Sequence, residues 1–218
     1  MSEIILEKNI RLCDLETKFR LQMTEDTDFF PEWRTDLPDI NDQEKQLLDK
    51  IKRGYLNLVK YPPMLENTVQ MTVLAPLLCL ADLYLPPFRV RSETSVSFSD
   101  SDEEITIEGR IDVLVLKEHL WVVVIESKRA FFSVEAGLAQ LLSYMLANPN
   151  HGELNFGLIT TGGSFVFVKL VADNRPTYTL SKVFELRSPG NDLYSVLSIL
   201  KQFRNLFSEP HSEPDAEK

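Results

Sequence analysis

Residues 109–128 read GRIDVLVLKEHLWVVVIESK. Val, Ile and Leu dominate both halves, and Lys117-Glu118-His119 interrupts them. Two β-rich apolar runs around a short polar break read as a β-hairpin. One end of it carries Asp112, Glu126 and Lys128 on otherwise hydrophobic strands. Charge in a buried strand is costly unless it is paired, and a divalent cation with a phosphate would compensate it. Register decides whether these charges meet. A two-residue turn at Glu118-His119 pairs Asp112 with Ile125. A three-residue loop, Glu118-His119-Leu120, pairs Lys117 with Trp121 and hence Asp112 with Glu126. Their Cβ atoms then lie about 5 Å apart, and like charges placed so destabilise the pair unless a cation sits between them. The expectation is therefore the three-residue loop, with both carboxylates on one face.

The flanking sequence builds a mixed α/β pattern around this hairpin. Within its first strand, Ile105, Ile107, Ile111, Val113 and Val115 alternate with Thr106, Glu108, Arg110 and Asp112, which predicts two distinct faces. Upstream, Asn41 and Glu44 form a capping box before a helix to about residue 60, and Pro62-Pro63 stops it. A second helix is expected over 65–85, bent at Pro76 and covered on most sides because VLAPLLCLADLYL is apolar nearly all round. Glu66 and Gln70 share one face at its start. Glu66 reads either as a solvated first-turn acid that suits the helix dipole or as an acid aimed at the site. Phe88–Phe98 reads as a strand, and SDSDEE at 99–104 as a solvated acidic loop without the spacing of a calcium loop.

Downstream, a helix from about Ser133 carries Gln140 and Tyr144 one turn apart. Two strands then flank Gly162-Gly163, a weaker strand spans 178–186, and Asn191-Asp192 caps a last amphipathic helix. The aromatic turn Phe29-Phe30-Pro31-Glu32-Trp33 reads as a plug on the core; base stacking by Trp33 is the functional alternative. The resulting division is a helical extension over 1–60, an α/β domain over 61–207 with a central sheet flanked by helices, and a disordered acidic tail over 208–218.

Composition bounds the function. The 218 residues carry a net charge of −10, which argues against a free-standing, non-specific nucleic-acid binder. Residues 61–207 hold 12 basic and 16 acidic side chains, and a site that collects metal-binding carboxylates looks acidic when counted without its metal. Two cysteines, Cys13 and Cys79, make a disulfide framework improbable and a reducing cytoplasm the default. No signal sequence opens the chain, and 71–85 is too short an apolar run to span a bilayer. His119, His151 and His211 lack zinc-ligand spacing, Gly162-Gly163 is not followed by Lys-Ser/Thr, and no Gly-x-Ser-x-Gly elbow occurs.

Asp112 followed by Glu126-Ser127-Lys128 resembles the PD-(D/E)xK nuclease superfamily, with its restriction-endonuclease-like fold. Gln140-Leu-Leu-Ser-Tyr144 is similar to the Gln-x-x-x-Tyr element of its RecB-like branch. The wider pattern, YPPMLEN, LAPLL, LPPFRVRSE, GRIDVLVL, VIESKR, YMLANPN and GLITTGGSF, resembles small bacterial proteins, frequent in cyanobacteria. Those proteins are related to the N-terminal nuclease domain of the type I restriction R subunit. Here Gly109-Arg110-Ile111-Asp112 stands where the family name has Pro-Asp.

The resemblance implies a Mg²⁺-dependent DNA nuclease in which Asp112, Glu126 and the Ser127 carbonyl bind the cation, with Mn²⁺ as a substitute. It assigns Lys128 to the attacking water and the scissile phosphate, Gln140 and Tyr144 to orientation, and Glu66 to the site's helix acid. Arg110 and Arg129 become phosphate contacts, with plain surface arginines as the alternative. DNA is the implied partner, with no membrane, and with a second copy or a separate specificity or translocase subunit. The chain has no Walker motif of its own. Two other readings stand beside this one: a catalytically silent nuclease-fold module acting through a partner protein, favoured by the acidic surface, and a structural domain with a coincidental charged strand end.

Overall fold

The computed structural model describes residues 3–6, 10–100, 105–128, 134–150 and 155–208. It is a mixed α/β fold whose central sheet contains nine strands among these residues. The helices are α1 (Leu12–Lys18), α2 (Asp42–Leu58), α3 (Glu66–Val69), α4 (Ala75–Leu80), α5 (Val134–Leu146) and α6 (Leu193–Ser208). The strands are β1 (Glu3–Leu6), β2 (Gln22–Met23), β3 (Phe88–Asp100), β4 (Ile105–Lys117), β5 (Leu120–Ser127), β6 (Asn155–Thr160), β7 (Ser164–Val171), β8 (Thr177–Leu180) and β9 (Phe184–Glu185). Their order is β1-β4-β5-β6-β7-β8-β2, with β3 on β4 and β9 on β7. β5 and β6 are parallel, joined through α5, while β4–β5 and β6–β7 are antiparallel.

Both sheet faces are covered, which explains the near-continuous apolar runs of β5, β6 and β7. One layer packs Val113, Val115, Val123, Ile125, Phe156 and Phe167 against α2, α4 and α6. The other packs Leu114, Leu116, Val124 and Ile159 against α1 and α5. At the centre of the first layer, Phe156 and Phe203 stack at 4.0 Å, and Phe30 stacks on Phe156 at 5.9 Å. The aromatic turn is thus a core plug. Trp33 meets Phe184 edge-on at 6.2 Å, and the turn is pinned by a Glu32–Lys169 ion pair of 2.5 Å.

Among the described residues, the segment expected over 1–60 does not stand apart as a helical extension. β1 runs parallel to β4 and β2 parallel to β8, so the N-terminal segment adds strands to the same sheet. The capping box is present, with Glu44 N donating to Asn41 Oδ1 at 2.9 Å, and α2 buries Leu48 and Tyr55 in the first layer.

The helix expected over 65–85 runs unbroken from Glu66 to Leu80, with a π turn at Gln70–Leu74 between α3 and α4, and ends five residues short of the expected stop. Pro76 lacks the N–H that would continue the ladder, and the wider turn absorbs the break. Nor is it covered all round. Val69, Val73, Leu77 and Ala81 are buried at four-residue spacing, while Met71 is 69% exposed and Cys79 is exposed as well. The acidic stretch 101–104 and the tail 209–218 lie outside the described residues.

The β6–β7 turn is two glycines, Gly162 pressed against Val69 of α3 and Gly163 against Tyr55 of α2. Gly162 has φ 76°, and a Cβ added at Gly163 would come within 2.1 Å of the Tyr55 hydroxyl. Gly163→Ala is therefore expected to cost about 1–3 kcal/mol of stability through overpacking. Gly54→Ala on α2, where an added Cβ meets nothing, should leave stability unchanged or raise it by up to about 1 kcal/mol. Urea unfolding of both variants checks the contrast.

Candidate active site

β4 and β5 meet at a two-residue turn, not a three-residue loop: Lys117 pairs with Leu120 and Leu116 with Trp121. Glu118 closes the turn at φ 53°, and its carbonyl accepts from the Arg89 guanidinium at 2.6 Å. By itself this turn would pair Asp112 with Ile125. The register then shifts at Val115, which pairs with Val123, so Val122 is an extra residue on β5. Val122 and Val123 both pack in the first layer, as a one-residue bulge requires. The ladder continues to Val113↔Ile125, and one step further brings Asp112 level with Glu126. The predicted juxtaposition thus arises from a bulge instead of from the loop.

At that end of the hairpin the Ser127 N–H donates to Asp112 Oδ2 at 2.8 Å. Glu126 is 1% exposed, and its Oε1 lies 2.5 Å from Lys128 Nζ. Lys128 also donates to Gln140 Oε1 at 2.8 Å. Gln140 Nε2 donates to the Tyr144 hydroxyl at 2.7 Å, and that hydroxyl donates to the Arg110 carbonyl at 3.0 Å. A relay therefore runs from Glu126 through Lys128, Gln140 and Tyr144 back to β4. It works because positions i and i+4 of α5 share one face.

Burial sets the electrostatics. Desolvation pushes the Glu126 carboxyl up to about 8, and the Asp112 charge adds to this; Lys128 offsets it only in part. Burial likewise raises Asp112, against the lowering hydrogen bond from Ser127. Glu66, exposed at the start of α3, adds a smaller like-charge push on both. Glu66 is thus close enough to be felt by the pair, yet no group of three His, Cys, Asp or Glu positioned to hold a metal occurs among the described residues. The donors that do converge are two carboxylates. Glu126 Oε2 is buried without a hydrogen-bond partner among the described residues. An orphaned carboxylate oxygen beside a second carboxylate is a donor set of the kind a hard cation takes.

No protein-family model matches the chain, and no curated protein matches it.

Arg110 is exposed, and its guanidinium faces Glu93 at 3.5 Å. Arg129, His151 and His211 lie outside the described residues, and His119 is an exposed turn residue. Two participants escape the sequence reading. A Cβ on Gly137 would sit 3.3 Å from Ile159 and 3.6 Å from Lys128 Cε, so this glycine lets α5 approach the site closely. Its signal is a glycine inside an otherwise helical pattern. Glu93, on β3 opposite Asp112, has no sequence signal beyond a charge within a strand.

A carboxyl raised in the folded state binds its proton more tightly there than in the unfolded chain. Its stabilisation is complete below the unfolded value near 4.5 and is lost as pH rises through about 8. The metal-free protein should accordingly lose stability between pH 5 and 8.5, seen as a falling urea midpoint. Glu126→Gln should flatten that loss and be the more stable protein at pH 8.5.

Proposed function

We propose that the chain is a Mg²⁺-dependent nuclease of the restriction-endonuclease-like fold that hydrolyses phosphodiester bonds of DNA. The observation that carries this reading is Glu126: a carboxylate 1% exposed, beside Asp112 and Lys128, with one oxygen left unpartnered. Glu32 Oε2 is likewise buried without a partner in the structural Glu32–Lys169 pair; what sets Glu126 apart is the second carboxylate, Asp112, whose charge it feels.

In this reading Asp112, Glu126 and the Ser127 carbonyl hold the cation, and Mn²⁺ substitutes for Mg²⁺. When bound there, the cation lowers the pKa of a water ligand and neutralises charge on the phosphate. The protein's own groups do the rest. Lys128, steadied by Gln140 and Tyr144, holds the attacking water and faces the charge that develops as the water oxygen bonds to phosphorus. As that bond forms the water gives up a proton to solvent, the P–O bond to the leaving nucleotide breaks, and the leaving oxygen takes up a proton from solvent. Arg110, and Arg129 just beyond the described residues, bind flanking phosphates, and Glu66 adds negative charge on the cation's side. Phosphate binding by a few arginines is compatible with a chain of net charge −10, since that count includes the carboxylates that would hold a cation. We place the protein in a reducing cytoplasm, in keeping with its two free, exposed cysteines. Among the described residues no helix is long and apolar enough to cross a membrane.

Incubation with plasmid, linear and single-stranded DNA in Mg²⁺ or Mn²⁺ tests the reading. Cleavage is expected from the unaltered protein, abolished in Asp112→Ala and reduced by about 10²–10⁴-fold in Lys128→Ala, the range for loss of a positioned proton-handling group. Cleavage that persists in both variants contradicts the assignment. Absence of cleavage and of Mg²⁺ binding in the unaltered protein turns the reading toward a silent module that acts through a partner.

A further inference from the structure

Five non-glycine residues among those described have a positive φ: Arg20, Asp36, Asp82, Glu93 and Glu118. Four of them lie in turns or just past helix ends. Glu93, at φ 50°, alone lies inside a strand, near the middle of β3. The β3–β4 ladder pairs residues in one register from Phe88↔Lys117 to Asp100↔Ile105, and a single facing pair is missing from it, Glu93 and Asp112. No residue is inserted on either strand. The feature is therefore not a bulge that twists an edge strand away from other chains.

The same step disturbs β4. Val113 and Val115 pack in the first layer, but Ile111 joins Leu114 and Leu116 in the second. The expected face shared by Ile111, Val113 and Val115 is thus broken at Asp112, and the Asp112 carboxylate, out of the ladder, accepts from Ser127 N at 2.8 Å. The side chain of Glu93 returns little for its backbone. It faces Arg110 at 3.5 Å with the two side chains 70% and 61% exposed, and such a pair is too weak to offset a left-handed glutamate. Strain kept in mid-strand without local return points to a position imposed by the site it serves.

We propose that Glu93 is a positioning residue of the site: its left-handed backbone opens the β3–β4 ladder opposite Asp112 and lets that carboxylate turn toward Ser127 and Glu126. The role belongs to the backbone at 93, not to the carboxylate. Substitutions that accept a positive φ preserve the site, and a β-branched residue, which pays most for that conformation, closes the ladder and withdraws Asp112.

The test compares Glu93→Gly, Glu93→Asn and Glu93→Val in the full chain. The first readout is the Ser127 amide resonance in a ¹⁵N–¹H spectrum of the metal-free protein, which reports the Asp112 hydrogen bond directly. The second is Mn²⁺ affinity by calorimetry, and this one rests on the metal-site reading. Gly and Asn are expected to leave both unchanged. Val is expected to move the Ser127 amide upfield and to weaken Mn²⁺ binding by about 10- to 100-fold, the usual cost of losing a group that orients a metal ligand. Its far-ultraviolet dichroism should still be that of the folded sheet. Should Glu93→Val not fold, Glu93→Ala against Glu93→Gly makes the same comparison with a smaller difference. Equal loss in Gly and Val, or no change in Val, overturns the proposal. An unaltered protein that binds no Mn²⁺, while the Ser127 amide still separates Gly from Val, sinks the metal site and retains the positioning role.

Discussion

Everything at the charged end of the β4–β5 hairpin depends on one carboxylate held out of water. Glu126 is 1% exposed at the end of a strand whose preceding residues, Val122–Ile125, are all buried. Burial and the neighbouring Asp112 both oppose its ionisation. The chain compensates with one ammonium, Lys128, two residues on and on the same side of the strand. That ammonium is in turn bonded to Gln140 on α5, which lies close to the end of β5 at Gly137 and precedes the parallel strand β6.

The second constraint is that two strands deviate from regular pairing at the positions the site needs. The bulge at Val122 corrects a register that the Glu118-His119 turn alone would place one residue off. The gap at Glu93 and Asp112 releases the aspartate from β3. Each irregularity has its compensation in the packing: Val122 and Val123 fill the first layer together, and Ile111 moves to the second. A regular hairpin with the same turn would carry the same charges and would not bring them together.

Much of this was legible in the sequence. Alternation and composition located β4 and β5, and the four-residue spacing of Gln140 and Tyr144 placed both on the face that meets Lys128. The capping box at Asn41 and Glu44 fixed the start of α2 because both partners are local. What was not legible depends on tertiary packing. A bulge leaves no mark when the extra residue is one more valine in a valine run. A left-handed glutamate is dictated by what lies across the strand pair and not by its neighbours. β1 and β2 are too short to show a period and become strands only by pairing with β4 and β8. Pro76 signalled a break, but the π turn that absorbs it spreads over the five residues Gln70–Leu74 before Ala75.

The central claim is that Asp112 and the buried Glu126 form a cation site. Calorimetric titration with Mg²⁺ and Mn²⁺ at pH 7, in buffers of differing ionisation enthalpy, tests it most directly. Because the Glu126 carboxyl stands near 8, cation binding should release on the order of one proton per ion at pH 7. The release should shrink toward zero by pH 9.5 and vanish in Glu126→Gln. Failure to bind either cation, or binding of equal strength with no proton release in the unaltered protein and in Glu126→Gln, would contradict it.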